Sequence, residues 1–449
     1  MIGDKVLLTD MTHGGVLLAQ KLMGDYQVYA YDMYHTLASD DIIFLEDDLG
    51  VIIVDDIDLF LNDNPGVRVI SPVHSPVKGD ETYHSIIGEL LSGDKMVPVV
   101  EVTGVKGKTT VVELLKGLLG DCDPLVLSSL GVKVLNDGEE FLLEGDISIA
   151  PVNILCALDL AKKYDFGLCL FELSLGGTGL ADLGVITNIV EDYSIAQGAS
   201  SASIAKSQIF KSKIVVIEFE SFSNFYSNIS HGRINTFSVE SNKANLYVRK
   251  VEYGDLSSHI IIDYNNLKTL TGNISGSLEI DTYAPGEYYL SNILCTITTA
   301  LSLKNTPQQI TKKLKNTPQI PGRSSQKKIN NYTTITEEIN PGLNTQAIKK
   351  AIQTINKKEN PITILGGQYG ITCEEINEKQ LTTTLKQLIQ HDKTKIILTD
   401  QLGKNLKKHL PTNIPYYHHP ETAKQKAIQN KYKNILFIYR SQYKELEKR

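Results

Sequence analysis

The sequence predicts an α/β protein with parallel sheets, divided into three domains. Apolar runs such as "KVLLTD", "YQVYAYD" and "GVIIVDD" alternate with segments of helical periodicity such as "ETYHSIIGELLSG", which is typical of strand–helix–strand units. The same alternation returns near the end, in "PITILGG", "KQLTTTLKQLIQ" and "TKIILTD". At 449 residues the chain is also too long for a single hydrophobic core.

The predicted domain boundaries lie where this pattern changes. Residues 1–94 form a Rossmann-like domain that ends after the helix "ETYHSIIGELLSG", and residues 95–320 begin with an apolar strand before a glycine-containing turn. The central domain holds further strands in "FGLCLFEL", "LGVITNI", "SKIVVIEF" and "HIIIDY" and a long helix in "YYLSNILCTITTALSL". Residues 321–449 alternate strands with helices again, which predicts a second Rossmann-like domain.

Composition excludes several classes of protein. The formal net charge is −7, and the lysines after residue 300 lack interleaved aromatic residues or arginine clusters, so we expect no nucleic acid partner. No uninterrupted apolar run reaches membrane length, and "MIGDKVLLTDMTHGG" enters a strand without the pattern of a signal peptide. We therefore expect a cytoplasmic protein with no membrane partner, and either a monomer or a dimer.

The segment "PVVEVTGVKGKTTVVELL" orders an apolar strand, a glycine-containing turn and an amphipathic helix, as a phosphate-binding P-loop does. Lys108 is expected to reach the terminal phosphates of a nucleotide, and the Thr109 hydroxyl is expected to coordinate Mg²⁺. An ordinary glycine turn is the competing interpretation. The predicted ATP-binding residues of this segment are Thr103, Gly104, Val105, Lys106, Gly107, Lys108, Thr109 and Thr110.

The short glycine spacing of "TGVKGKTT" resembles the loop of the Mur ligase family, the ATP-dependent ligases that build peptidoglycan stem peptides and polyglutamylated folate. Further segments resemble that family in the same order along nearly the whole chain, namely "FELSLGG", "ITNIVEDY", "SIAKSQIF", "PGEYYLSNILC" and "IPGR". The resemblance implies a P-loop ATPase domain between two Rossmann-like domains, with ATP and Mg²⁺ as cofactors. It also implies a reaction in which a carboxylate is phosphorylated and a nucleophile then displaces the phosphate.

The same resemblance implies three catalytic residues, Lys108, Glu172 and Lys206. Thr109 and Glu172 are the implied magnesium ligands, joined by Lys206 if that lysine is carbamylated. A plain lysine on a helix surface is the alternative interpretation of Lys206.

Three further ATP contacts are implied outside the P-loop. Asn292 corresponds to the adenine-side asparagine of the family, and Arg323 to the arginine that opens the C-terminal domain. Glu337 or Glu338 stands in the place of the acid that contacts the ribose, with Glu337 preferred. We expect the C-terminal domain to close over ATP and exclude water from the acyl phosphate.

Within that family, "DMTHGG", "DMYHTL", "SPVHSP", "ELSLGGTGLAD" and "EEINPGLN" resemble an archaeal branch, the coenzyme F430 synthetases of methanogens. This resemblance implies an ADP-forming ligase whose small-molecule partner is a nickel tetrapyrrole, an open-ring seco-F430 acid. A propionate would be activated and a ring carbon would close the last carbocycle, which gives coenzyme F430, ADP and phosphate. Nickel enters only as part of the substrate.

The candidate substrate residues lie at predicted strand ends, where open α/β sheets bind ligands, and the three histidines among them are expected to share one edge of the N-terminal sheet. For each histidine alone, a loop residue that caps nearby backbone is the alternative, and a flexible turn is the alternative for the glycines. The candidates are His13, Gly14, His35, His74, Ser174 and Gly176.

Two other functions stay open at this point. A pseudomurein or Mur-type peptide ligase would join an amino acid to a UDP-linked precursor, and its turnover would depend on that amino acid. A P-loop switch or binding protein would use its ATPase for regulation, although such a protein needs no third domain that closes on a substrate.

Overall fold

The computed structural model describes residues 4–93, 97–254, 256–370 and 376–441. Contacts within the chain divide it into two units. The first comprises residues 1–282 and 290–317, and the second comprises residues 283–289 together with the chain from residue 318 onward. Two large sheets belong to the first unit and one belongs to the second.

The N-terminal sheet is wholly parallel. It consists of strands β1 (Lys5–Leu8), β2 (Gln27–Ala30), β3 (Ile52–Ile53), β4 (Arg68–Ser71) and β5 (Glu81–Thr82), with helices α1 (Gly15–Leu22), α2 (Ser39–Ile43), α3 (Ile57–Asp63) and α4 (Tyr83–Leu91). The strand order is β3–β2–β1–β4–β5. Val6, Leu7 and Leu8 are all buried, because helices cover both faces of such a sheet and its central strands are apolar throughout.

The central sheet has 11 strands. They are β6 (Val99–Thr103), β7 (Pro124–Ser128), β8 (Gly131–Asn136), β9 (Glu139–Glu144), β10 (Leu168–Glu172), β11 (Leu183–Ile186), β14 (Ile214–Glu218), β15 (Ile234–Ser238), β16 (Leu246–Glu252), β17 (Ser258–Thr269) and β18 (Gly272–Thr282). Strands β12 (Ser194–Ile195) and β13 (Ser200–Ser201) form a separate two-stranded hairpin between β11 and β14. The helices are α5 (Lys108–Leu118), α6 (Asn153–Ala161), α7 (Ala202–Lys206), α8 (Phe219–Ser221), α9 (Glu287–Ser302) and α10 (Pro307–Lys315).

The order of this sheet places the chemistry in its middle. The strands run β18–β17–β16–β15–β14–β11–β6–β10–β7–β8–β9, and β7, β10, β6, β11 and β14 are mutually parallel. The carboxyl ends of β6, β10 and β7 therefore lie side by side, with Glu172 paired in register with Val102. Residues that follow these three strands share one edge of the sheet.

The second unit contains the third sheet. Its strands are β19 (Arg323–Lys328), β20 (Thr334–Ile339), β21 (Pro361–Gly367), β22 (Ile396–Thr399), β23 (Tyr416–Tyr417) and β24 (Asn434–Arg440), and its helices are α11 (Thr345–Ile355), α12 (Glu378–His391), α13 (Asp400–Lys407) and α14 (Pro420–Gln429). The order is β19–β20–β24–β21–β22–β23, with β19 antiparallel and the other neighbours parallel.

The predicted α/β class with parallel sheets is confirmed. The strand predicted in "HIIIDY" is β17, but the sequence did not predict strands β8, β9, β16 and β18, whose antiparallel pairings widen the central sheet at both ends. The domain boundaries at residues 94/95 and 320/321 stay a prediction. Among the described residues, no helix combines the length and apolarity needed to cross a bilayer.

Candidate active site

The P-loop joins β6 to α5 through two glycines in left-handed or otherwise positive-φ conformations. Gly104 has φ 141° and Gly107, the N-cap of α5, has φ 84°. A Cβ atom on Gly104 would lie 2.0 Å from Thr187 Oγ1, and one on Gly107 would lie 2.2 Å from Asn292 Oδ1. Both positions therefore require glycine for backbone conformation and for space. Asn292, predicted to be close to the nucleotide, contacts the turn itself.

The loop between these glycines is fixed by the segment after β11. The carbonyl oxygen of Lys106 accepts hydrogen bonds from Thr187 Oγ1 at 2.5 Å and Asn188 Nδ2 at 3.0 Å. The amide of Lys106 donates to Asn188 Oδ1 at 3.2 Å. Lys108 Nζ donates to the carbonyl oxygen of Gly104 at 3.1 Å, so its side chain folds back over the loop. The arrangement is a rigid turn at a helix N-terminus, as phosphate binding requires.

Glu172 and Thr109 meet at the carboxyl edge of the central sheet. Thr109 Oγ1 donates to Glu172 Oε1 at 3.0 Å, and the backbone N–H of Ser129 donates to Glu172 Oε2 at 3.0 Å. Ser129 Oγ also lies 3.0 Å from Thr109 Oγ1. Glu172 is only 2 % exposed. A carboxylate and two hydroxyls form the hard oxygen set that Mg²⁺ prefers, so these residues fit the predicted magnesium site.

Ser129 was not predicted from the sequence. It follows β7 directly, and β7 is the neighbour of β10, which carries Glu172. The available signal was therefore its position one residue after an apolar strand, in "PLVLSSL".

Lys206 lies at the end of α7 and is fully buried. The alternative of a helix-surface lysine is therefore wrong. Its Nζ donates to the carbonyl oxygen of Ser174 at 2.8 Å and lies 5.9 Å from the centre of the Tyr193 ring. Burying an ammonium group costs free energy unless it has partners, and the Ser174 carbonyl oxygen is one such partner. Carbamylation of this lysine stays a prediction.

The glycine-rich segment after β10 packs against Ala205 and Gln208, which lie close to Lys206 in the sequence. Gly176 has φ 111°, and a Cβ atom there would lie 2.8 Å from both the carbonyl oxygen of Ala205 and Gln208 Nε2. Packing against protein therefore explains this glycine without a ligand. Ser174 keeps a link to the site because its carbonyl oxygen accepts the bond from Lys206.

The N-terminal sheet brings Asp10, His13 and His74 together at the ends of β1 and β4. His13 Nδ1 lies 2.7 Å from Asp10 Oδ2, His74 Nε2 lies 3.5 Å from the same oxygen, and the two nitrogens are 3.3 Å apart. Gly14, with φ 93°, packs on Val152 of the central sheet's domain, where an added Cβ would lie 3.0 Å from Val152 Cβ. The sequence prediction named both histidines but missed Asp10.

His35 does not join this group. It is exposed, has φ 51°, and donates its backbone N–H to the carbonyl oxygen of Asp32. The expectation that three histidines share one site is therefore corrected to two histidines and one carboxylate, because Tyr34 of the loop after β2 lies beside His13 while His35 is exposed.

Asp10 stays ionised in this environment. Its side chain is fully buried, and burial opposes ionisation. Hydrogen bonds from His13, from His74 and from the backbone N–H of Thr12 outweigh that effect and hold the pKa of Asp10 well below its usual range. A buried carboxylate with fixed orientation is the result.

His84, on α4, is buried near the same region. Its side chain is 2 % exposed, and within the described residues neither ring nitrogen has a hydrogen-bond partner. Burial, together with the positive charges of Lys206 and Lys211 and the nearby His74, lowers the pKa of His84 to about 3. Helix α4 also contacts the central sheet's domain directly, since Lys211 Nζ donates to Ser85 Oγ at 2.9 Å.

Replacing His84 by leucine is expected to reduce the acid sensitivity of the fold. Because the folded-state pKa lies below the unfolded value of about 6.5, the unfolded chain binds more protons between pH 3 and 6.5. This group alone then costs about 2 kcal/mol of stability as the pH falls from about 7 to about 5. Urea unfolding of the unmodified protein and of His84→Leu at the two pH values measures this loss of stability. An equal loss in the two proteins would contradict the lowered pKa of His84.

The remaining predicted ATP residues belong to the second unit. Arg323 begins β19 and pairs in register with Glu338 of β20. Burial raises the pKa of Glu338 to about 7, against the opposing effects of a Ser324 hydrogen bond and the Arg323 charge. Glu337 points to the other face of β20, where its carboxylate lies 3.1 Å from Lys327 Nζ. Their predicted contact with ATP stays a prediction.

Comparison with known proteins agrees with these features. Residues 326–442 match the family model described as Coenzyme F430 synthetase CfbE, C-terminal domain. The chain is 29% identical over 418 residues to the Coenzyme F(430) synthetase of Methanocaldococcus jannaschii, covering 90% of this chain and 93% of that protein. It is 33% identical over 222 residues to the Coenzyme F(430) synthetase of Methanosarcina acetivorans, covering 46% of this chain and 47% of that protein.

Solved structures confirm the predicted architecture. MurF from Acinetobacter baumannii aligns with a TM-score of 0.60 and 14% identity over 98% of this chain and 91% of that one. MurF ligase from Thermotoga maritima in complex with ADP aligns with a TM-score of 0.58 and 14% identity over 99% and 93%. A pseudomurein peptide ligase type C from Methanothermus fervidus aligns with a TM-score of 0.53 and 16% sequence identity, covering 97% of this chain and 97% of that one. The chain therefore has the Mur ligase fold, and its sequence is similar to the coenzyme F430 synthetases, with residues 326–442 matching the model of their C-terminal domain.

Proposed function

We propose that this chain is an ATP-dependent, ADP-forming ligase that closes the final carbocyclic ring of a nickel tetrapyrrole, as a coenzyme F430 synthetase. The match to the named synthetase over 90% of this chain supports the substrate class. The observation that carries the reaction class is the P-loop with Thr109 and Glu172 in contact at 3.0 Å. A phosphate site beside a hard-cation site is what activation of a carboxylate by ATP requires.

The first half-reaction forms an acyl phosphate. A propionate oxygen of the substrate attacks the γ-phosphorus of ATP, the bond between that phosphorus and the β–γ bridging oxygen breaks, and ADP leaves. Lys108 neutralises charge that develops on the transferred phosphoryl group and on the leaving oxygen. Thr109 and Glu172 would hold Mg²⁺, which supplies further neutralisation of phosphate charge when bound.

The second half-reaction forms a carbon–carbon bond. A ring carbon of the tetrapyrrole gives up a proton and attacks the acyl carbon, and the bond from that carbon to the phosphate oxygen breaks. Inorganic phosphate leaves and a cyclic ketone remains, so the organic product is lighter than the substrate by one water. In this proposal the substrate binds at the edge that holds His13 and His74 in one domain and Ser174 in the next, and the packing of Gly14 on Val152 supports a shared region.

The proposal includes a carbamate on Lys206. Carbamylation would turn a buried cation into an oxygen-bearing anion, which suits a second metal or phosphate-proximal position better than an ammonium group does. Tyr193, whose ring lies 5.9 Å from Nζ, would then border the carbamate.

Removing carbon dioxide and bicarbonate from the assay is expected to lower turnover of the unmodified protein reversibly. Lys206→Arg keeps a positive charge but cannot be carbamylated, so it is expected to lose at least about 10²-fold in activity. Lys206→Glu restores a carboxylate at that position and should recover part of the loss. Full activity of Lys206→Arg, together with indifference to bicarbonate, would contradict the carbamate.

The function is tested by measuring phosphate release from Mg-ATP together with mass spectrometry of the organic product. Parallel reactions contain the open-ring nickel tetrapyrrole acid, or a pool of amino acids with UDP-linked precursors. Release with the tetrapyrrole and a product lighter by one water is expected. Release only with the amino acid pool would identify a peptide ligase, and release independent of any acceptor would identify a P-loop switch.

A further inference from the structure

The cluster of Asp10, His13 and His74 has the geometry of a metal site. Its three donor atoms, Asp10 Oδ2, His13 Nδ1 and His74 Nε2, are separated by 2.7, 3.3 and 3.5 Å, and all lie within 4.8 Å of one another. A circle through them has a radius of about 1.9 Å. Because metal–nitrogen and metal–oxygen bonds are about 2.0–2.2 Å, one ion slightly outside their plane reaches all three atoms.

Hydrogen bonding alone explains the close approach of these three side chains less well than a bound metal ion does. Both imidazole nitrogens approach the same carboxylate oxygen, and they lie only 3.3 Å from each other. If both carried protons, the two N–H groups would converge on one oxygen from neighbouring directions. If only one did, the second nitrogen would face the carboxylate with a lone pair. A cation at the centre satisfies all three atoms at once.

The position in the fold also favours a ligand. In the strand order β3–β2–β1–β4–β5, the chain adds β2 and β3 on one side of β1 and then β4 and β5 on the other side. Asp10 and His13 follow β1, and His74 follows β4, so the cluster occupies the switch point at the carboxyl edge, where open α/β sheets bind ligands. Asp10 is fully buried, whereas the His13 and His74 side chains are 32% and 28% exposed.

We propose that Asp10, His13 and His74 bind one divalent transition-metal ion. Two imidazoles and one carboxylate suit Zn²⁺, Co²⁺, Ni²⁺ or Fe²⁺ better than Mg²⁺ or Ca²⁺. Three protein ligands leave coordination positions open on the exposed side, as in catalytic metal sites. Tyr83 supports the site by donating its hydroxyl to the Asp10 carbonyl oxygen at 2.5 Å. This inference stands on the protein's own geometry and does not depend on the proposed function.

The proposed ion is distinct from the nickel of a tetrapyrrole. In a tetrapyrrole the four ring nitrogens occupy the equatorial positions, so only axial positions remain and three adjacent protein ligands cannot reach that nickel together. The test therefore uses the protein alone, without tetrapyrrole or ATP.

The experiment is a titration of chelator-treated, dialysed full-length protein with Co²⁺, followed by visible absorption, and with Zn²⁺ by calorimetry. One equivalent of each ion is expected to bind, with d–d bands for cobalt. His13→Ala and His74→Ala should each weaken binding by at least about 10²-fold and remove the bands. These variants come first because Asp10 also orders its own loop through the backbone N–H groups of Thr12 and His13.

His259→Ala is the matched control. His259 also lies beside two carboxylates, at 3.0 Å from Asp281 and 3.4 Å from Glu279, but on exposed strands. This variant should bind the ion as the unmodified protein does. Absence of a stoichiometric site would overturn the proposal, as would unchanged binding in both His13→Ala and His74→Ala or loss of binding in His259→Ala.

Discussion

Replacing Lys108 by alanine is expected to lower ATP-dependent turnover by at least about 10²-fold while the protein stays folded. The Lys108 side chain lies over the loop, with Nζ 3.1 Å from the Gly104 carbonyl oxygen, beside the turn that we propose binds the terminal phosphates. Removing it leaves phosphate charge unneutralised in the transition state, which typically costs about 3–4 kcal/mol. Steady-state phosphate release measures the loss, and circular dichroism with thermal unfolding checks the fold.

The matched control for this experiment is Lys116→Ala, on the same helix. Lys116 lies 2.7 Å from Glu113 and forms a second ion pair with Glu140, so its charge interacts with these glutamates and not with the loop. Its replacement should change turnover less than about twofold, because its ion pairs are with Glu113 and Glu140 and do not stabilise the transition state of the reaction. Turnover of Lys108→Ala equal to that of Lys116→Ala would show that the loop does not carry the phosphate chemistry.

The fold could be predicted where burial imposes a simple pattern. Strands β1, β6 and β10 are covered on both faces, and their sequences are mostly apolar, although β6 carries the buried Glu101. Strands β9 and β18 could not be recognised in this way, because most of their residues are exposed or partly exposed. An edge strand with a solvated face has no apolar run, and its position follows from pairing with a neighbour.

The site could be predicted where its parts are local in sequence. The loop from Gly104 to Lys108 is one such part, because two glycines, a lysine and the start of a helix lie within a few residues. Ser129 and Asp10 could not be identified in the same way, since Ser129 meets Glu172 from another strand and Asp10 meets His74 from another strand in addition to the local His13. Strand order, which brings β7 beside β10 and β4 beside β1, decides those contacts, and a single sequence does not reveal strand order.

The histidines show the same limit. Strands β2 and β4 both neighbour β1, so the sequence alone predicts that His35 and His74 are equally able to approach His13. The loop after β2 approaches His13 through the Tyr34 ring, at 5.9 Å between ring centres, and leaves the neighbouring His35, with φ 51°, exposed. The loop after β4 brings the His74 ring to 4.4 Å from the His13 ring centre. Loop conformation of this kind depends on packing that local residue types do not specify.

Glu172 is the position where charge can be separated from shape. Its two oxygens have different partners, the hydroxyl of Thr109 and the backbone N–H of Ser129. A glutamine side chain can keep both contacts, because its oxygen accepts from the Ser129 N–H and its amide nitrogen donates to the Thr109 hydroxyl, which can also accept. Glu172→Gln therefore removes the negative charge and leaves the local geometry in place.

Glu172→Gln is expected to lower turnover by at least about 10²-fold and to raise the concentration of Mg²⁺ needed for half-maximal activity, since a neutral amide is a weaker ligand than a carboxylate. Phosphate release measured across a magnesium series gives both quantities. Ser129→Ala removes one hydroxyl but keeps the backbone N–H bond to Glu172, so its loss should be much smaller. Equal magnesium requirements for the unmodified protein and Glu172→Gln would exclude this carboxylate as a ligand, because a purely structural role would lower stability without shifting the dependence on the metal.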